Sequence, residues 1–207
     1  MEWYKIPNVS FAAYVECLMD IYKTKEPTSD IYDPFLEAIT SGLYNVTTDQ
    51  HQKNTRRFQL EHSMKMKMGG FHQKLLSAFP GWKNLKQGDA SGVDVVKEDE
   101  SEYAEIKNRT NTMNSGSAKT VNDKLVKQVA LGRKAILVQI NTGLDGKTNT
   151  SGIDKSIHIM NGKEAYAYFS GNSHCYDLVL YTVNETFKRF KTWREICEFR
   201  DQQLQRA

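Results

Sequence analysis

The sequence predicts a mixed α/β fold, with a small mixed central β-sheet flanked by helices and a mainly helical N-terminal part. Three observations predict it. Residues 1–87 carry apolar positions at helical spacing behind good capping residues. From Gly88 onward, short β-branched and apolar runs appear, among them "GVDVV" (92–96) and "AILVQIN" (135–141). Between these runs lies a helical pattern, and strand–helix–strand implies a right-handed crossover joining parallel strands.

The first helix is expected in "SFAAYVECLMDIYK" (10–23). Phe11, Tyr14, Val15, Leu18, Ile21 and Tyr22 share one face, and Ser10 is the N-cap. In "DPFLEAITSGLY" (33–44), Asp33 caps and Pro34 takes the first helical position. The polar, basic "TTDQHQKNTRRFQLEHSMKMKM" (47–68) reads as a helix with an exposed face. Then "GGFHQKLLSAFPGW" (69–82) reads as a second, short amphipathic helix closed by Pro80-Gly81. "GVDVV" and "EYAEIKN" (102–108) are strands joined by the charged turn "KEDES", hence a hairpin. "SAKTVNDKLVKQVALGRK" (117–134) is the crossover helix, with Ser117 as its cap and Val121, Leu125 and Val129 on its apolar face. "AILVQIN" is a buried third strand. A polar loop (142–156), a short strand (156–160) and helices within 161–171, 173–190 and 192–205 complete the chain.

At 207 residues, 39% hydrophobic and 26% charged, one domain with its own core is expected. It divides into a helical part (1–87), core strands and helix (88–141), and a loop with C-terminal helices (142–207). No apolar run approaches the ~20 residues of a bilayer span. "MEWYKIPNVS" lacks the apolar region of a secretory signal. Cys17, Cys175 and Cys197 show no CxxC spacing, which argues against a disulfide framework or a zinc site. A cytoplasmic protein with no membrane partner is expected. The net charge of +3 permits nucleic-acid binding without demanding it.

The chemistry concentrates in the predicted hairpin. Asp94 stands in an apolar β-branched strand, where a carboxylate is costly unless compensated. Glu105 and Lys107 alternate onto one face of the next strand, and Asp94 can meet Glu105 across the hairpin. Two converging carboxylates repel unless a cation lies between them. A hard divalent ion, Mg²⁺ above all with Mn²⁺ as substitute, suits oxygen ligands from Asp94, Glu105 and the Ile106 carbonyl. Lys107 then orients a water and balances charge as that water attacks phosphorus. An E-x-K tripeptide alone is ordinarily a surface ion pair; the upstream aspartate and the flanks give it meaning. Asn108, Arg109, Asn111, Thr112, Asn114 and Ser115 follow directly, then Ser117, Lys119 and Lys124 on the next helix. Such side chains donate to phosphates or read base edges, and a helix N-terminus favours phosphate.

"GVDVV…YAEIKNRTNTMNS…AKTVNDKL", preceded by "FHQKLL…PGWKNL…GDAS", resembles the PD-(D/E)XK nuclease superfamily. More narrowly it is similar to type II restriction endonucleases that recognise GGNCC. The likeness spans roughly residues 69–140. The superfamily's name carries a proline before the aspartate, and here Val93 stands there. The resemblance implies a restriction-endonuclease-like core with Asp94 and Glu105 as metal ligands and Lys107 as catalytic lysine. It also implies Mg²⁺-dependent cleavage of double-stranded DNA at a short palindromic site, 5′-phosphate ends, and a DNA methyltransferase as genetic partner. A symmetric site calls for a homodimer. Relatives support the attacking water from an N-terminal helix, for which Gln73 or Glu61 is the candidate here. The alternatives are another nuclease of the superfamily, acting in repair or on junctions, and a DNA-binding module without catalysis.

Elsewhere the residues favour plainer roles. His72 reads as a helix-surface or capping residue, and the other histidines lack ligand spacing. "KRFKTWR" (188–194) reads as a solvated helix end and Trp82 as a packing anchor. The 142–156 loop lacks the spacing of a phosphate-binding loop and is a candidate groove-probing element.

Overall fold

The computed structural model describes residues 1–24, 33–85, 88–109, 115–142 and 147–206. The elements run α1 (Phe11–Tyr22), α2 (Pro34–Tyr44), α3 (Thr48–Ser77), β1 (Trp82–Asn84), β2 (Val95–Lys97), β3 (Glu102–Arg109), α4 (Ser115–Ala130), β4 (Lys134–Asn141), β5 (His158–Asn161), α5 (Gly162–Ser170), α6 (Cys175–Arg189) and α7 (Trp193–Leu204). The strands form one sheet in the order β1-β2-β3-β4-β5. β2 runs antiparallel to both of its neighbours, β1 and β3, whereas β3, β4 and β5 run parallel. The expected α/β class, hairpin and crossover are all present, in a mixed sheet with flanking helices and a helical N-terminal part.

Side-chain alternation gives the sheet two different faces. Ala104 and Ile106 of β3, with Ile136, Val138 and Ile140 of β4, point into the larger core. There they meet Tyr14 and Leu18 of α1, Leu75 and Leu76 of α3, and Tyr166 of α5. Val96, Tyr103, Ala135 and Leu137 point the other way, onto Val121 and Leu125 of α4. Because β4 is covered on both faces, its sequence is an almost unbroken apolar run. Glu105 and Lys107 share the parity of Tyr103, so the fold turns them toward α4.

Three expectations are corrected. Residues 48–77 form one helix of 30 residues, not two, opened by a Thr47–Gln50 capping box. Gly69 and Gly70 sit mid-helix with nothing within 4 Å of where a Cβ would lie, so no close approach demands them. Each costs about 1 kcal/mol relative to alanine; burial of Phe71, Leu75 and Leu76 just beyond them offsets this. The three-residue edge strand β1 went unforeseen because "WKN" is too short to show a period. Ser117 does not cap α4, which begins two residues earlier.

His72 is also corrected. It is buried, and its Nδ1 lies 2.8 Å from the Tyr166 hydroxyl. Burial pushes its pKa down to about 4. No helix among the described residues is long and apolar enough to cross a membrane.

Candidate active site

The site is built where β2 and β3 meet under α4. Asp94 immediately precedes β2, between the buried Val93 and Val95. Its amide donates to the Ala104 carbonyl at 3.1 Å. Its carboxylate Oδ2 accepts from the Ile106 amide at 2.7 Å, which pins the acid across the hairpin. Burial and, second, the Glu105 carboxylate push the Asp94 carboxyl up to about 6, against the pull of the Ile106 amide, Lys107 and Lys124.

Glu105 is 2% exposed. Its Oε1 lies 2.7 Å from the Lys107 ammonium and 3.7 Å from that of Lys124. Its other oxygen, Oε2, is buried and takes no hydrogen bond from any described residue. An acceptor left so costs about 1–3 kcal/mol, more when charged. Two acids, one with an orphaned oxygen, are a donor set that fits a hard cation. Among the described residues no cluster of three or more His, Cys, Asp or Glu side chains offers a metal site, so a third protein ligand here would come from the backbone.

Lys124 reaches the site from the third turn of α4. Its stem lies over Gly92, with Cε, Cδ and Cγ 3.4–3.7 Å from where a Cβ would stand. Gly92 adopts φ +69°, a conformation that favours glycine. Lys124, Asp94, Asp89, Gly92 and Gln73 help line a cavity of about 460 Å³. The Gln73 amide donates to Asn84 Oδ1 at 2.9 Å and to the Asp94 carbonyl at 3.4 Å. Gln73 therefore comes to the cavity, whereas Glu61 does not. It lies 12 residues up the same helix, about 18 Å along its axis, and pairs with Arg57 and Lys65.

The expected DNA contacts divide. Asn111, Thr112 and Asn114, and the side chains of Arg109 and Ser115, lie outside the described residues. Asn108 is a brace: its amide nitrogen donates to the Lys65 carbonyl of α3 at 3.2 Å, and its Oδ1 accepts from Asn141 at 2.8 Å. Lys119 is exposed on α4, while Ser117 lies within that helix's first turn. Arg133 and Lys134, read from sequence as part of the same basic helix, belong to the opposite end of β3 and β4. Arg133 stacks over Tyr103, and Lys134 bonds Tyr168 beside Glu102.

One residue was overlooked. Gln139 is fully buried and stands beside Lys107 in the parallel register, on the same face. Its amide donates to the Asn149 carbonyl at 2.8 Å and accepts from the Asn149 amide at 2.7 Å. It thus holds the 147–156 segment as a neighbouring strand would. Farther along that segment, Asp154 donates its amide to Asn122 of α4 at 2.7 Å. The signal was available: a lone amide inside "AILVQIN" must find partners.

A family model described as Eco47II restriction endonuclease matches residues 4–183, most of the chain. The chain belongs to the Eco47II restriction endonuclease family. A 93-residue stretch is also 29% identical to the type II restriction enzyme Sau96I of Staphylococcus aureus. That stretch covers 45% of this chain and 35% of that enzyme, so the chain spans about a third of the relative it matches. For a member of the Eco47II family, the acids, the lysines and the open cavity are the natural place to look for chemistry.

Proposed function

We propose that this chain is a type II restriction endonuclease that hydrolyses phosphodiester bonds in double-stranded DNA at a short palindromic site. The products are 5′-phosphate and 3′-hydroxyl ends. The observation that carries the reading is the meeting of Asp94, Glu105 and Lys107 across one hairpin, with Asp94 lining an open cavity, in a chain of the Eco47II family. GGNCC is the first sequence to test, because the motif resemblance points to enzymes that read it. The protein works in the cytoplasm as a homodimer, alongside a methyltransferase that protects the host's own sites.

Mg²⁺, or Mn²⁺ in its place, would be held by Asp94, Glu105 and the Ile106 carbonyl, and would polarise the phosphate and acidify the attacking water. The chain's own side chains do the rest. The Ile106 amide fixes the Asp94 carboxylate, so that acid needs little reorganisation on loading. Lys107 holds the water in line with phosphorus and balances the charge that develops on the phosphoryl oxygens. Lys124 adds a second positive charge on the cavity wall for a DNA phosphate. Gln73 orients the Asp94 backbone and supports the water network.

The test is digestion of a sequenced plasmid with Mg²⁺, reading the fragment ends. Discrete fragments cut at one short sequence support the reading. Nicking that follows DNA shape rather than sequence points to a junction or repair nuclease. Binding without cleavage in either Mg²⁺ or Mn²⁺ leaves only a DNA-binding module.

A further inference from the structure

The buried stretch of β4, from Ala135 to Ile140, is apolar except at Gln139. The ladders to β3 and β5 are made by main chain and ask nothing of this side chain. An apolar residue would serve the core there. A buried amide costs free energy unless both of its ends find partners. Here both ends find the same residue, the Asn149 carbonyl at 2.8 Å and the Asn149 amide at 2.7 Å. What Gln139 does that a leucine could not is fasten the 147–156 segment to the central strand.

The fastened segment is a preformed turn. Asn149 Oδ1 accepts the Ser151 amide at 2.9 Å. The Ile153 amide donates to the Thr150 carbonyl at 3.2 Å, with Gly152 between them at φ +73°. A positive φ is what the third position of a type II turn requires. A Cβ at Gly152 would stand 4.0 Å from Ala118 Cβ, so the turn lies against the start of α4. Ile153 packs on the cluster of Val121 and Leu125, and Asn122 takes the Asp154 amide at 2.7 Å. β4 thus pins one side of the turn and α4 the other. Thr150, Ser151 and Gly152 are left in solvent. This tip carries hydroxyls and no charge. Lys155 in the segment and Lys119 beside Ala118 are exposed around it. The acid of the segment, Asp154, has its Oδ1 taken by the Ser156 amide and hydroxyl. A neutral, hydroxyl-bearing point among cations complements a groove of duplex DNA, where base edges lie between two rows of phosphate.

We propose that the Thr150–Ile153 turn reads base edges in a groove of the DNA, and that Gln139 is the positioning residue that keeps this turn in register with Lys107. The inference rests on the nuclease function proposed above. Gln139 and Lys107 are register partners on neighbouring strands, with their side chains on one face. One rigid sheet therefore carries both the reading turn and the cutting lysine. An enzyme that cuts at a fixed distance from what it reads needs that arrangement, because a contact braced by strand and helix holds its place better than one on a free loop. The Thr150 and Ser151 hydroxyls can donate and accept, so they suit either member of a base pair. Lys119 and Lys155 take phosphates, which position the duplex without reading it.

The test uses the full chain and two duplexes of equal length, one holding the sequence at which plasmid is cut and one with that sequence scrambled. Binding is measured with Ca²⁺ in place of Mg²⁺ to slow cutting. Thr150→Ala with Ser151→Ala is expected to bind the cut sequence about tenfold more weakly, or worse, and the scrambled duplex as the wild type does. Gln139→Leu should lose the same preference, whereas Lys119→Ala should weaken both duplexes alike. A double alanine variant that keeps the full preference overturns the proposal, as does a Gln139→Leu protein that loses both duplexes equally. Should Gln139→Leu misfold, amide exchange in the wild type decides. The amides of 150–153 must slow on the cut sequence; an unprotected turn in the bound chain places the reading elsewhere. If no duplex is cut, the same exchange is read on mixed plasmid fragments. Protection there keeps the DNA contact and sinks the nuclease reading alone. Site-specific cutting with an unprotected turn sinks the contact alone, and a chain that neither binds nor cuts DNA sinks both.

Discussion

The Asp94 carboxylate rests on the Ile106 amide, 2.7 Å away, so one strand's backbone aims the other strand's acid. That bond holds Asp94 near enough to Glu105 for the second carboxylate to raise its pKa, and Glu105 keeps an oxygen with no donor among the described residues. Close acids with a spare buried acceptor make a poor resting state for a metal-free protein and a good one for a cation.

Replacing the acids or the lysine should abolish cutting and spare folding. Asp94→Asn, Glu105→Gln and Lys107→Ala are each expected to lower Mg²⁺-dependent plasmid cleavage by about 10²–10³-fold or more, with DNA retained in a gel-shift assay. Full cleavage by any of the three removes that residue from the proposed machinery.

The metal-free protein should lose stability as the medium becomes less acidic at one group. Asp94 has its carboxyl raised from 3.8 to about 6, so the folded chain holds this proton more tightly than the unfolded one. The stability it contributes is complete below about pH 4 and is lost as pH rises through 6. The change is of order 2–3 kcal/mol, less whatever solvent screens. Denaturant titrations in chelator from pH 4 to 8 should show this slope in the wild type and not in Asp94→Asn. Added Mg²⁺ should restore stability at pH 7.5 in the wild type alone.

His72 should act with the opposite sign. Burial lowers its pKa from 6.5 to about 4. Its stabilising contribution is therefore complete above pH 6.5 and is lost as pH falls through 4. Tyr166→Phe takes away the hydroxyl beside Nδ1. Thermal or chemical unfolding at pH 7.5 should record a loss of about 1–3 kcal/mol.

Gly92→Ala should damage the site from a distance. The new methyl group meets the Lys124 stem at 3.4 Å, and the backbone keeps φ +69°. The strain should cost about 1 kcal/mol in chemical denaturation. Cleavage should fall alongside that of Lys124→Gln. A double variant no worse than Lys124→Gln alone would show that both act through the same ammonium.

Gln139→Leu should leave the sheet intact and free the segment that Asn149 begins. Amide exchange at 147–156 is expected to quicken, with the strands β3 and β4 unchanged. Equal exchange in both proteins would mean that other contacts hold the segment.

The hairpin acids were legible because period-two alternation and an aspartate among valines are both visible in one dimension. Gln139 was legible too as a lone amide in an apolar strand, but its partner, the backbone of Asn149, has no signature in the sequence. Gly69-Gly70 misled because glycine pairs usually end helices, and what overrides them is docking of Phe71, Leu75 and Leu76 against residues far away in the chain. His72 misled for the same reason, because its partner Tyr166 lies 94 residues on. Gln73 and Glu61 were indistinguishable by type; only the register of α3 against the sheet separates them.

By itself the sequence determined the class, the order of most elements and the meeting of Asp94, Glu105 and Lys107 across a hairpin, because propensity, alternation and capping act between near neighbours. Tertiary structure alone decided that Lys124 and Gln73 reach the same cavity and that Asn108 braces three elements. Those facts depend on which faces the sheet and α3 offer to distant segments, and burial of surface between such segments leaves no local period to read.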